Sequence, residues 1–224
     1  MKATLSAPTP PRSTPATIAA NSSSTPYVPP FTIIVDTREG APFTFAGMFE
    51  NSERSYRPRN VAVEHQGLPT GDYSLKGFIN RVTIERKSLP DLMGSLAGKE
   101  GVRRDRFKRE HERMWEEFVR WGGFAHVVIE ATREDVRAYR EDQAAGRPRG
   151  AHPNAVLSAS IRWPRRYGVQ WHWAGGRAEA ERLTYDLLAD AYHVFEEEEK
   201  DKSRAERNAA IERLKNLNNP NGVK

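Results

Sequence analysis

The hexapeptide FTIIVD at 31–36 constrains this chain more than any other stretch of it. It is short, rich in β-branched residues, almost continuously apolar, and it ends on an acid. An unbroken apolar run of this length means that both faces of a strand are covered, as happens when helices pack on either side of a sheet. FAHVVIE at 124–130 has the same character. NVAVEHQ (60–66), DYSLKG after the turn LPTG (68–71), RVTIERK (81–87) and YGVQWHW (167–173) read as further strands, the last with Val169, Trp171 and Trp173 on one face. Helical signals lie between them. Pro90 and Asp91 open a helix to Leu96. The stretch 103–121 spaces Phe107, Met114, Phe118 and Trp121 helically until Gly122-Gly123 ends it. Helices are also predicted over 134–143 and 154–163, and from Arg177 with Ala180, Leu183, Leu187, Ala191 and Phe195 facing the core. Such interleaving predicts an α/β domain, a central mixed sheet flanked by helices, with a long C-terminal helix.

The ends of the chain have another composition. Residues 1–30 are mostly Ser, Pro, Thr and Ala and cannot bury enough apolar surface to offset their ordering entropy, so a disordered tail is expected. Order is expected over 31–195. After EEEE at 196–199 the apolar stripe thins to Ile211, Leu214 and Leu217, which predicts a charged helical extension or a mobile tail over 196–224, solvated or pairing with another chain. The tail has no continuous apolar stretch of a secretory leader, and no run approaches the about 18 residues of a membrane span, so neither secretion nor a membrane is expected. The absence of cysteine excludes a disulfide framework, a zinc ribbon and a thiol nucleophile, and is compatible with a reducing, cytoplasmic setting. A net charge of +5 points to a polyanionic partner.

On strand 81–87, period-two alternation sends Thr83, Glu85 and Lys87 to one face and Val82, Ile84 and Arg86 to the other. Taken alone, Glu85 and Lys87 read as an ion pair on a solvated strand. Asp72, however, lies on the adjoining strand, and GFIN is short enough to make the two strands antiparallel, so Asp72, Glu85 and Lys87 can meet in one pocket. Two carboxylates with water and a phosphate oxygen suit Mg2+ or Mn2+, which polarises a phosphodiester and acidifies water. Asp36 and Glu39 leave the C-terminal end of the first strand, where α/β sheets commonly place ligands, and would supply a second metal position or outer-shell bonds. Asp36 by itself would read as a turn residue.

VDTRE, GDY and IERKSLPDL, in this order, resemble the nuclease domain of the XPF family of structure-specific endonucleases, a branch of the PD-(D/E)XK group with its restriction-endonuclease-like core. The family signature, GD then ERK then Asp four residues after the Lys, is met by Gly71-Asp72, Glu85-Arg86-Lys87 and Asp91. The resemblance runs from about Phe31 to Tyr192 and is nearest to stand-alone bacterial or phage members. It implies that Asp72, Glu85 and the backbone carbonyl of Arg86 hold the metal, that Lys87 is the catalytic lysine, that Asp36 and Glu39 complete the acidic pocket, and that Asp91 caps or orients. It implies sequence-independent contact with branched or flapped DNA, including Arg38 and Arg86, and metal-assisted hydrolysis of a phosphodiester. A catalytically silent DNA-binding scaffold, or a resolvase or exonuclease of the same fold, are the alternatives. Two departures stand out: nothing after Phe195 resembles the helix-hairpin-helix module that grips DNA and dimerises many relatives, and the Gly-Arg opening of the family's basic helix is here Asp105-Arg106. A homodimer or a partner protein is left open.

Three basic clusters remain. Arg103, Arg104 and Arg106 open a helix and are read as phosphate contacts, whereas Lys108 and Arg109 read as surface partners of Glu110, Glu112 and Glu116 at helical spacing. Arg147 and Arg149 lie in a loop, and Arg162, Arg165 and Arg166 form a third patch. Trp115, Trp121, Trp171 and Trp173 are expected to pack on the core rather than stack on bases.

Overall fold

A computed structural model describes residues 25–52, 55–97, 102–139 and 150–218. The order of elements is β1 (Thr32–Asp36), β2 (Phe49–Ser52), β3 (Ser55–Pro58), β4 (Ala62–Gln66), β5 (Tyr73–Leu75), β6 (Val82–Lys87), α1 (Leu89–Ser95), α2 (Val102–Glu117), a 3-10 turn (Val119–Trp121), β7 (Phe124–Ile129), α3 (Arg133–Ala138), α4 (Pro153–Tyr167), β8 (Gln170–Trp173) and α5 (Arg177–Asn218). Six strands form one mixed sheet in the order β4-β1-β5-β6-β7-β8. β5 is antiparallel to both β1 and β6, and the β1–β4, β6–β7 and β7–β8 pairs are parallel.

Two cores explain why the apolar runs are continuous. On one face of the sheet Val127 and Ile129 pack with Leu92, Phe107, Met114 and Val156 of the helices α1, α2 and α4 and with Phe118, just after α2. On the other, Ile33, Val35, Tyr73, Ile84 and Val128 pack with Leu188, Ala191 and Phe195 of α5. β7 contributes to both cores, β1 and β6 are buried along both faces, and the edge strand β4 is largely exposed. The α/β architecture, mixed sheet and long C-terminal helix are as the sequence predicts.

Several details differ. β2 and β3 form an antiparallel hairpin outside the main sheet that the polar sequence around it did not signal. α4 continues through Pro164 to Tyr167, four residues past its predicted end. A proline this near a C-terminus forfeits only one late intrahelical bond, and Gly168 closes the helix in the left-handed region at φ 67°. α2 stops at Glu117 and the 3-10 turn swings Trp121 outward, leaving it 72% exposed, with Trp115 also exposed. His111 lies on the core stripe between Phe107 and Met114, buried among Phe107, Trp163, Tyr167 and Trp171. The buried stripe of α5 runs through Ala180, Thr184, Leu188, Ala191 and Phe195, rotated slightly from Leu183 and Leu187. Beyond residue 198 the side chains of α5 described are exposed. Among the described residues no helix is long and apolar enough to cross a membrane. The tail up to residue 24, the segment 140–149 with Arg147 and Arg149, and the side chains of Arg103 and Arg104 lie outside the described part.

Candidate active site

Gly71 sets the position of the acid that follows it. Its φ is +78°, and a Cβ there would fall 2.0 Å from Thr83 Oγ1 and 3.1 Å from the Ile84 carbonyl, so only glycine lets β6 come this close. Asp72 then enters the sheet between two strands. Its N–H donates to the Ile84 carbonyl at 2.8 Å, and its own carbonyl accepts the Asp36 N–H at 2.8 Å. Since Tyr73 lies opposite Val35 and Ile84, one step back puts Asp72 opposite Asp36 on one side and Glu85 on the other. Directly opposed residues share a face. Asp36, Asp72 and Glu85 thus form a row across three strands, with Lys87 two residues along β6.

All four line a cleft of about 570 Å3 between the sheet, α1 and α2. Lys87 is buried there, its ammonium bonded to Glu85, 3.5 Å from Asp91, 3.9 Å from Glu110 and 5.1 Å from the ring centre of Phe107. Burial works to lower the Lys87 pKa, but Glu85, Glu110 and Asp91 outweigh it and hold the group above its ordinary value. Burial pushes Asp72 up to about 7, against the Arg86 N–H that donates to its Oδ2 at 2.7 Å and against Lys87, while Glu39 and Glu110 push in the same direction as burial. Glu85 is raised well above the usual range by burial, opposed by Lys87 and reinforced by Asp72 and Glu110.

Asp36 differs from its two neighbours. Arg38 donates to both of its oxygens through Nε and Nη2, each at 2.8 Å, and the Leu68 N–H also donates to Oδ2. The Arg38 side chain, against the opposing effect of burial and with backbone N–H groups in support, holds Asp36 near 2. Asp36 lines the cleft, yet its oxygens are already committed to tying β1 to the turn that carries Gly71. Arg38 also lines the cleft and its side chain is 68% exposed.

Glu39 and the side chain of Arg86 lie elsewhere. Arg86 points through the sheet to the α5 side, where Nε meets Glu130 at 2.8 Å and Nη1 meets Glu39 at 3.3 Å. Arg177, at the start of α5, completes this group at 3.0 Å from Glu130. Neither Glu39 nor Arg86 is among the residues lining the cleft.

Helix α2 contributes Arg106, expected as a phosphate contact, Glu110, expected on the surface, and Arg113, not singled out in the sequence. Arg106 lines the cleft beside Glu110 and Arg113. Glu110 faces Lys87 and is not the surface partner that its helical spacing suggested, whereas Lys108 does pair with Glu112 at 3.3 Å. The signal was present: Arg106, Glu110 and Arg113 border the apolar stripe through Phe107, Met114 and Phe118 at i,i+4 and i+7. Asp91 has its N–H turned to the Ser88 cap of α1 and its carboxylate to Lys87.

Whether these residues suit a divalent cation can be judged from the donors. No group of three or more His, Asp or Glu side chains placed to hold a metal ion occurs among the described residues. Asp72 and Glu85 are nevertheless two carboxylates on one face, Glu85 buried and raised in part by Asp72, and Asp72 half-buried with an Oδ1 that has no hydrogen-bond partner among the described residues. Two carboxylates completed by a carbonyl, water and substrate oxygens match the way Mg2+ is usually held, so the donor set fits.

A mixed sheet that gathers carboxylates beside a buried lysine in an open cleft defines the nuclease class that the GD and ERK motifs resemble. The chain belongs to the ERCC4 domain family, whose pattern matches residues 35–187, more than half of its length. Among solved structures it is similar to XPF from Aeropyrum pernix, with 18% identity and a TM-score of 0.47 over 73% of this chain and 68% of that one. It is similar also to XPF from Aeropyrum pernix in complex with DNA, with 19% identity and a TM-score of 0.46 over 71% of this chain and 64% of that one. A search of curated proteins returned no match.

Proposed function

We propose that this chain is a metal-dependent DNA endonuclease that cuts branched or flapped DNA without reading its sequence. The convergence of Asp72, Glu85 and Lys87 in one cleft carries the proposal. Mg2+ or Mn2+ held by Asp72, Glu85 and the Arg86 carbonyl would supply Lewis acidity towards the phosphodiester and the attacking water. Lys87 is kept protonated by the carboxylates around it, so it acts as a donor and not as a base. Its ammonium would bond a non-bridging phosphate oxygen and stabilise the charge that builds there during attack. Asp91 and Glu110 hold Lys87 in position. Arg38, Arg106 and Arg113 around the cleft suit the phosphates flanking the scissile one, contacts that fix register but carry no base information.

Labelled duplex, single-stranded, flap and fork DNA incubated with the protein in Mg2+ and in Mn2+, beside Asp72→Ala and Lys87→Ala, tests this. Cutting that needs the ion and both side chains, and that favours branched substrates, is the expected result. Tight binding with no cutting in either metal would replace the enzyme with a structure-recognising scaffold.

A further inference from the structure

A second cavity, about 490 Å3, opens on the same side of the sheet as the cleft. One face of α4 makes most of it: Ala159 and Trp163 form an apolar floor, joined by Leu96 from the end of α1, and Arg162, Arg165 and Arg166 stand exposed around it. None of the three arginines forms an ion pair with a described residue, and no described acid lines the cavity. Elsewhere, surface arginines have found carboxylates, as Arg81 has with Glu198 and Arg137 with Glu134. Three neighbouring guanidinium groups without a counter-charge repel one another, and an anionic partner relieves that repulsion.

The groove begins where the cleft ends. Phe107 is a wall of the cleft, Trp163 belongs to the groove, and their ring centroids are 5.4 Å apart. α1 gives Gly94 and Ser95 to the cleft, and Leu96, which caps it, lines the groove. Trp163 is held in place by His111, 4.8 Å away between ring centroids.

We propose that this groove binds the single-stranded arm of a branched DNA as it leaves the cleft, its phosphates on Arg162, Arg165 and Arg166 and its sugars or bases against Trp163. The proposal rests on the nuclease reading and deepens it by assigning a place to one arm of the substrate. Arg162 and Arg165/Arg166 lie three and four residues apart, about 4.5–6 Å along the helix axis, so they form a short row rather than a single point charge. An apolar floor beneath a row of cations suits a strand whose bases are unpaired, because a duplex keeps its bases stacked inside and would leave that floor unused.

The test measures binding of full-length protein, by anisotropy in EDTA, to labelled flaps whose single-stranded arm runs from zero to 15 nucleotides. Wild-type affinity should rise by roughly tenfold or more once the arm is long enough to reach the groove. Arg162→Ala/Arg165→Ala/Arg166→Ala should lose that gain, and its salt slope on the long-armed flap should shrink by about 2, since each single-strand phosphate contact contributes roughly 0.7. These are surface positions, and an unchanged melting temperature confirms that the variant is folded. Lysine at all three positions should restore most of the gain. Identical arm-length dependence in wild type and variant overturns the proposal, as does an equal loss on the flap and the arm-less duplex. Absence of cutting by wild type alongside a groove-dependent arm effect would sink the nuclease reading alone and leave the groove standing.

Discussion

Glu85, Arg86 and Lys87 are consecutive, yet they serve two regions of opposite design. On the α5 side of the sheet Arg86 and Arg177 meet Glu39 and Glu130, two cations for two carboxylates. Arg177 also donates to the Ala41 and Pro42 carbonyls at 2.9 Å, and both guanidinium groups lie over Phe43. On the other side one ammonium, Lys87, is shared by Glu85, Asp91 and Glu110, while Asp72 has no ion-pair partner among the described residues. The first group is compensated and joins β1, β6, β7 and α5. The second carries an excess of buried carboxylate that costs stability until something positive enters. A balanced cluster has nothing left to offer a substrate, whereas an unbalanced one is poised to take up a cation.

The largest effect should come from the unbalanced side. Asp72→Ala or Lys87→Ala should lower the cleavage rate by about 10³-fold or more, the scale of losing a group that acts on the transition state. Single-turnover cleavage measures it, and a loss of under tenfold would remove the contrast between the two faces.

Glu130→Ala attacks the balanced side. It strands Arg86 and Arg177 next to one remaining carboxylate, and breaking a buried pair in this way costs about 3 kcal/mol. Urea denaturation should show that loss, while cleavage per folded molecule stays within a few-fold of wild type. A cleavage defect matching that of Asp72→Ala would mean that the α5-side network belongs to the active site.

Asp72→Asn should stabilise the metal-free protein. Asp72 keeps its proton up to about pH 7 in the folded chain, whereas the unfolded chain releases it near its ordinary value of 3.8. The folded state therefore binds more protons between those limits, stability falls as pH rises through that window, and the whole cost is present above it. Asparagine can still accept from the Arg86 N–H. Thermal melts in EDTA should show a gain of about 2 kcal/mol at pH 8 and none near pH 4. A gain that is the same at both pH values would mean that the effect is packing and not charge.

How much of this contrast could be read in the sequence depended on what set each position. Asp72, Glu85 and Lys87 were legible because strand alternation and one short connection decide their meeting, and both are local. The same alternation puts Arg86 on the opposite face, but what waits there is not legible, because Glu130 follows β7 and Arg177 opens α5, far along the chain. Glu39 follows Asp36 by three residues, yet its carboxylate accepts the Ala41 N–H at 2.7 Å, which turns it to the Arg86 side. Glu110 was hidden by its helix: an acid among arginines at i,i+4 looks solvated until the docking of α2 shows which border of the stripe meets Lys87. The continuous apolar runs of β1 and β7 made the two-sided burial plain, while the β2–β3 hairpin, whose sequence carries no such run, gave no comparable signal.

The smallest effect sharpens the comparison by its sign. His126 of β7 and His172 of β8 lie side by side, with Nδ1 of one 3.1 Å from Nε2 of the other. Burial, helped by His172, lowers His126 to about 4, and burial lowers His172 as well. An unfolded chain takes up a proton on each near pH 6.5, while the folded chain resists. Stability from this pair is therefore complete above about 6.5 and is lost as pH falls towards 4, the reverse of the Asp72 contribution. His111, lowered to about 4 chiefly by burial, acts in the same direction. In wild-type protein without metal the two trends oppose each other between pH 4 and 7. With Asp72→Asn as background Glu85, also raised by burial, is the carboxylate that still opposes the histidines, and their trend should emerge as a net loss of roughly 1–2 kcal/mol on acidification. Adding His126→Gln should flatten it. If the slope between pH 6.5 and 4 is unchanged by His126→Gln, the acid sensitivity lies with His111 or with the carboxylates, and the paired imidazoles contribute packing alone.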